Sequence, residues 1–138
     1  MVPNLLNEKI VLVVDDEVDV LETLEGLLSM CHVVKASSFA EAKKHLESEV
    51  FDIAILDIMG VDGYRLLELA TRKKVLPVML TAHALSPEDT VKSFREGAAS
   101  FVPKDKMKDI ATYLGDILEA QQKGKSFRWR WLERFASY

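Results

Sequence analysis

Five residues carry chemistry that their positions make worth combining: Asp15, Asp16, Asp57, Thr81 and Lys104. Each stands just past the end of a short apolar run. Ile10–Val14 leads to the two aspartates, Ile53–Leu56 to Asp57, Leu76–Leu80 to Thr81, and Ala99–Val102 through Pro103 to Lys104. If these runs are strands of one parallel sheet, their ends share a rim, and that rim gathers three carboxylates, a hydroxyl and an amine. Packed carboxylates raise one another's pKa unless a cation joins them. A hard divalent ion with oxygen ligands meets that need, and Mg²⁺ characteristically takes one or two carboxylates, waters and phosphate oxygens. Lys104 and Thr81 suit the oxygens of a phosphoryl group, and a carboxylate at such a site can be the nucleophile that receives it. Singly, each residue has a plainer reading. An acid after a strand caps the next helix, a threonine there sits in a turn, and a lysine is solvated. Their recurrence at successive strand ends favours the joint reading.

The elements that must position these residues follow from pattern. Uninterrupted apolar runs of this length are the mark of strands buried on both faces of a parallel sheet. His32–Ala36 is a weaker run and is expected nearer an edge. Between the strands the spacing is helical: Val20, Leu21, Leu24, Leu27 and Leu28 fall on one face, Phe39, Ala42 and Leu46 on another, and Leu66, Leu67 and Ala70 on a third. Ser38 and Glu41 form a capping box. Gly63 opens the third helix, and Arg72-Lys73-Lys74 complements its dipole. Pro77 belongs at the first residue of its strand. Ser86-Pro87-Glu88-Asp89 starts a further helix, which Gly97 ends as a left-handed cap. Asp105 caps a last helix with Ile110, Tyr113 or Leu114, Ile117 and Leu118 inward. Strands alternating with single helices imply crossover connections and helices on both faces.

With 138 residues, the chain has room for one domain with a proper core. Its 18 basic and 22 acidic residues suit it poorly to wholesale nucleic-acid binding, which needs a basic face. The lone cysteine, Cys31, excludes an internal disulfide and agrees with a reducing cytosol. No signal-like start and no membrane-length apolar run is present. A soluble, cytoplasmic protein is expected.

The segments Val13-Val14-Asp15-Asp16-Glu17, Ile55-Leu56-Asp57, Leu80-Thr81-Ala82 and Phe101-Val102-Pro103-Lys104 together resemble the receiver domain of two-component response regulators. The resemblance runs from about Lys9 to Gln121. It implies an α/β fold: a single-domain, flavodoxin-like (βα)5 three-layer sandwich whose five-stranded parallel sheet has the order 2-1-3-4-5. It also implies that Asp57 is the phosphoacceptor. Asp15, Asp16, Asp57 and the carbonyl of Met59 would ligate Mg²⁺, with Asp15 acting partly through water. Thr81, Ala82 and Lys104 would bind the phosphoryl oxygens, and movement of Thr81 would let Phe101 turn inward and reshape a switch face. The implied partners are a sensor histidine kinase or phosphotransfer protein and a downstream protein at that face, which would also be the surface of any homodimer. In this role the chain is a signalling switch rather than an enzyme, catalysing only its own phosphorylation and dephosphorylation.

The chain departs from the family pattern in its turn Ile58-Met59-Gly60-Val61-Asp62-Gly63, which is short and lacks a proline. It also has Asp105, not proline, after Lys104, which argues against a cis peptide there. His83, close to Thr81, could influence phosphate loss or stand as an ordinary loop histidine.

The domain boundary is placed at 1–122 for the receiver unit and 123–138 for a basic and aromatic extension holding both tryptophans, Trp129 and Trp131. Such a segment can fold back over the domain, pack in a dimer, or meet an anionic lipid surface. Two rival functions share the acidic rim: a phosphorylation-independent scaffold, and a magnesium-dependent phosphohydrolase. The hydrolase typically needs a second acid where Met59 stands.

Overall fold

The computed structural model describes residues 5–58, 60–82, 88, 92, 95, 97–98 and 100–122. Five parallel strands form one sheet: β1 (Ile10–Val14), β2 (His32–Ala36), β3 (Ile53–Asp57), β4 (Leu76–Thr81) and β5 (Ser100–Pro103). Their order is β2-β1-β3-β4-β5, as the resemblance implied. The strand expected to be weakest, β2, is at an edge and is only partly buried. The other edge is β5. The central strand β3 is buried along its whole length, Asp57 included.

Side chains alternate across the sheet, and each face carries its own core. On one face Leu12, Val14, Ala54, Leu56, Met79 and Phe101 pack under α2 (Phe39–Ser48) and α3 (Gly63–Arg72). On the other, Val11, Val13, Ile53, Ile55, Val78, Leu80 and Val102 pack under α1 (Val18–Leu27) and α4 (Ile110–Gln122). The sandwich therefore has three layers, with helices on both sides of the sheet. Of the alternatives left open for the last helix, Leu114 is buried with Ile110, Ile117 and Ala120, while Tyr113 is only partly buried.

The helix ends show why the chain breaks where it does. Ser38 Oγ accepts a hydrogen bond from the Glu41 amide at 3.2 Å. Glu41 reaches back one residue beyond the serine, accepting from the amide of Ser37 at 3.1 Å and from its hydroxyl at 2.7 Å. These bonds hold the Glu41 carboxyl below its usual value. The third helix ends in a Schellman turn with a lysine in the left-handed position: Lys74 has φ 61°, Val75 N–H donates to the Ala70 carbonyl at 2.9 Å and Lys74 N–H to that of Thr71 at 3.1 Å.

Two local expectations are corrected. Pro77 is the second residue of β4, not the first, and pairs with Ala54. The Leu76 amide points toward β3, donating to the carbonyl of Asp52 just before that strand, so the proline nitrogen faces β5, whose pairing starts only at Val78. No donor is needed there. Asp105 does not cap the last helix; it lies within a 3-10 turn, Lys104–Asp109, and α4 begins at Ile110. Gly97 has the expected positive φ, 112°, but most of the helix before it, including the Ser86-Pro87 start, is outside the described residues. His83, Met59 and the extension 123–138 are outside them too.

Candidate acidic phosphoryl site

The rim is built by strand ends. Asp15 follows β1, its amide tied to the Ala36 carbonyl of β2 at 3.2 Å, and it is fully buried. Its Oδ1 accepts from the Glu17 amide at 2.9 Å, a tight turn that leaves Glu17 as the residue before α1. Asp57 is the last residue of β3 and is 4% exposed. Thr81, the last residue of β4, is also buried, whereas Ala82 is exposed. Lys104 leaves β5 and returns across the rim.

Its ammonium joins the pieces. Lys104 Nζ lies 2.9 Å from Asp15 Oδ2, 3.3 Å from Glu17 Oε1 and 3.7 Å from Asp57 Oδ1. Burial alone would lower the Lys104 pKa, but the Asp15 carboxylate beside it and the charge of Asp57 outweigh that effect and hold it above the ordinary lysine value. Carboxylate oxygens of Asp15, Asp16 and Glu17 lie within 4.8 Å of one another. Three carboxylates thus meet one ammonium, with Asp16 beside two of them, an excess of negative charge in a partly buried place. Asp15 Oδ2, wholly buried, has only the lysine's charge against it and no well-angled hydrogen-bond donor. A buried polar atom in that condition is costly. An oxygen-rich, electron-hard donor set of this kind could hold a small divalent cation.

The structure brings Asp15 and Asp16 together and reaches Asp57 by way of Lys104. It adds Glu17, to which the sequence reading gave no role. The one signal for it was its place as the third acid in Asp15-Asp16-Glu17, directly before a helix. Phe101 is turned into the core on the face of α2 and α3 and pairs in the sheet with Met79.

The short turn after Asp57 is held closely. Ile58 and Val61 are buried, and the Gly63 amide donates to the Ile58 carbonyl at 3.3 Å. Asp62, with φ 55°, makes no side-chain cap for α3 and instead meets Arg65 Nη1 at 3.3 Å. Glycine at 63 is required by contact: a Cβ there would lie 2.2 Å from the Asp57 carbonyl oxygen and 2.8 Å from Ile58 Cα. Among the described residues no peptide is cis, and no helix is long and apolar enough to cross a membrane.

Comparison with known proteins agrees with this architecture. The family model described as "Response regulator receiver domain" matches residues 11–114. The two-component response regulator ARR12 of Arabidopsis thaliana is 37% identical over 101 residues, covering 68% of this chain and 17% of the relative. The probable transcriptional regulator ycf27 of Cyanophora paradoxa is 30% identical over 103 residues, 72% of this chain and 43% of its own length. The chain therefore matches less than half of either relative. Among solved structures, a CheY-like response regulator receiver domain protein from Methanospirillum hungatei JF-1 superposes with TM-score 0.75 at 27% identity, over 86% of this chain and 99% of that one. A putative response regulator from Chloroflexus aurantiacus J-10-fl gives TM-score 0.70 at 28% identity, over 82% and 99%. With its strand order, its rim of acids under one lysine and the matched residues in agreement, this chain belongs to the response regulator receiver domain family.

Proposed function

We propose that Asp57 accepts a phosphoryl group from a histidine kinase or a phosphotransfer protein, and that the modified chain signals by changing what its switch face binds. The observation that carries this reading is Lys104, whose ammonium leaves β5 and meets acids at the ends of β1 and β3 together. In the transfer, an Asp57 carboxylate oxygen forms a bond to phosphorus as the donor's bond to phosphorus breaks, and the donor leaves with the electron pair. Such transfers depend on positioning and charge neutralisation more than on proton movement. Asp57 is fixed for this by its place at the end of a fully buried strand. In this reading Lys104 pairs with the incoming oxygens, and Thr81, at the neighbouring strand end, offers its hydroxyl to them. Mg²⁺, held by Asp15, Asp16, Asp57 and the Met59 carbonyl, would supply neutralising charge to the phosphoryl oxygens. The response passes through Thr81, Ala82 and Phe101. Residues 123–138 form an extension to the receiver unit rather than part of it.

The test is incubation with Mg²⁺ and acetyl phosphate, followed by intact mass measurement. One stable phosphoryl adduct, absent in Asp57→Asn, is expected. Absence of an adduct would favour a scaffold that works without phosphorylation. Rapid turnover of added phosphate esters would favour the hydrolase.

A further inference from the structure

We infer that Gly60 is a positioning residue that keeps the Asp16 carboxylate within the acidic cluster, an inference that rests on the metal-binding reading above. The shortened turn after Asp57 runs close over the end of β1. A Cβ built on Gly60 would lie 2.6 Å from Asp16 Oδ2, 2.9 Å from its Cγ and 3.1 Å from Oδ1. All three of the nearest atoms belong to that one carboxylate. The bare backbone of the turn is therefore one wall of the space the Asp16 carboxylate occupies, while Asp15 and Glu17 bound it from its own strand end. Gly60 also has φ 83°, in the region L-residues avoid.

Which atoms must yield decides what a side chain at 60 would do. At Gly63 the obstacle is backbone and cannot move, but at Gly60 it is the end of an exposed, rotatable side chain. Adding a methyl group at 60 would leave the fold standing and turn Asp16 aside. The cluster would lose one of its oxygens, and the cost in stability would be that of holding a non-glycine residue at positive φ. The glycine thus acts through Asp16, without contributing a ligand of its own.

The experiment is calorimetric titration of the full chain with MgCl₂, alongside thermal unfolding of each variant. Gly60→Ala is expected to stay folded and to bind Mg²⁺ about tenfold or more weakly, the range seen when a group that orients a metal ligand is lost. Gly60→Asn separates clash from backbone preference, since asparagine tolerates positive φ but carries the same Cβ; it too should bind weakly. In an Asp16→Ala background, Gly60→Ala should cost little further affinity. Wild-type affinity in either Gly60 variant, or an undiminished loss in the Asp16→Ala background, would overturn the inference alone. Failure of the unmodified chain to bind Mg²⁺ would remove the metal reading and this inference with it.

Discussion

Lys104 lies closer to Asp15 than to Asp57, 2.9 Å against 3.7 Å. The lysine is therefore, first of all, the partner of a carboxylate with no exposure to solvent. Removing it would strand that charge. Lys104→Ala is expected to destabilise the metal-free chain by about 3 kcal/mol, the typical result of breaking a buried pair from one side, as read by urea unfolding. The same change removes a positive competitor from the cluster, so Mg²⁺ should bind more tightly and recover part of the loss. Unchanged unfolding would mean that Asp15 does not depend on Lys104.

The raised pKa of Lys104 fixes the sign of a pH effect. A cation whose pKa is higher in the folded state stabilises fully below its unfolded value, about 10.4 for lysine, and that contribution fades as pH rises through the folded value. Stability should fall in this alkaline range, and Lys104→Met should fall less steeply there. Glu41 acts in the opposite range. Its lowered pKa supports α2 above the ordinary glutamate value, and that support disappears as acid protonates it.

The box that starts α2 is testable separately. Ser38→Ala removes the oxygen that takes the Glu41 amide and should lower stability by about 1 kcal/mol. A chemical-denaturation midpoint unmoved by the change would show that the bond contributes nothing.

Two glycines should respond in opposite directions. Gly63→Ala drives a methyl group into the Asp57 carbonyl and Ile58 Cα, both backbone, and should cost about 3 kcal/mol or prevent folding. Gly115 sits inside α4, where a Cβ meets nothing within 4 Å. Gly115→Ala should raise stability by about 1 kcal/mol. Thermal unfolding of both variants provides the comparison.

Ending the chain at Gln122 should leave the unfolding midpoint and the Mg²⁺ affinity of the receiver unit unchanged, because the five strands, the acidic cluster and the helix Ile110–Gln122 all precede the cut. A large drop in either quantity would place residues 123–138 within the cooperative unit.

The parts of the fold legible in the sequence were those where one force dominated. Buried parallel strands have no polar face to keep, so β1, β3 and β4 read as plain apolar runs, and the three-layer arrangement followed from their alternation with helices. Asp15, Asp57 and Lys104 were legible because they end such runs. Glu17 was not, because its meeting with Lys104 depends on a residue 87 positions away. Pro77 was misplaced by one residue because which side an amide faces is a property of the sheet, not of the run. Asp105 resembled a cap, yet the chain leaving β5 turns in a tighter helix first. The closeness of Gly60 to Asp16 had no local signal at all.

The close pass of Gly63 over the Asp57 carbonyl leaves the proposed phosphoacceptor little room to shift. Its strand is gripped on both flanks, and the next amide, that of Ile58, is already committed to Leu80. Any rearrangement on modification must then be borne by neighbours that are held less firmly, so the news travels outward from a fixed point.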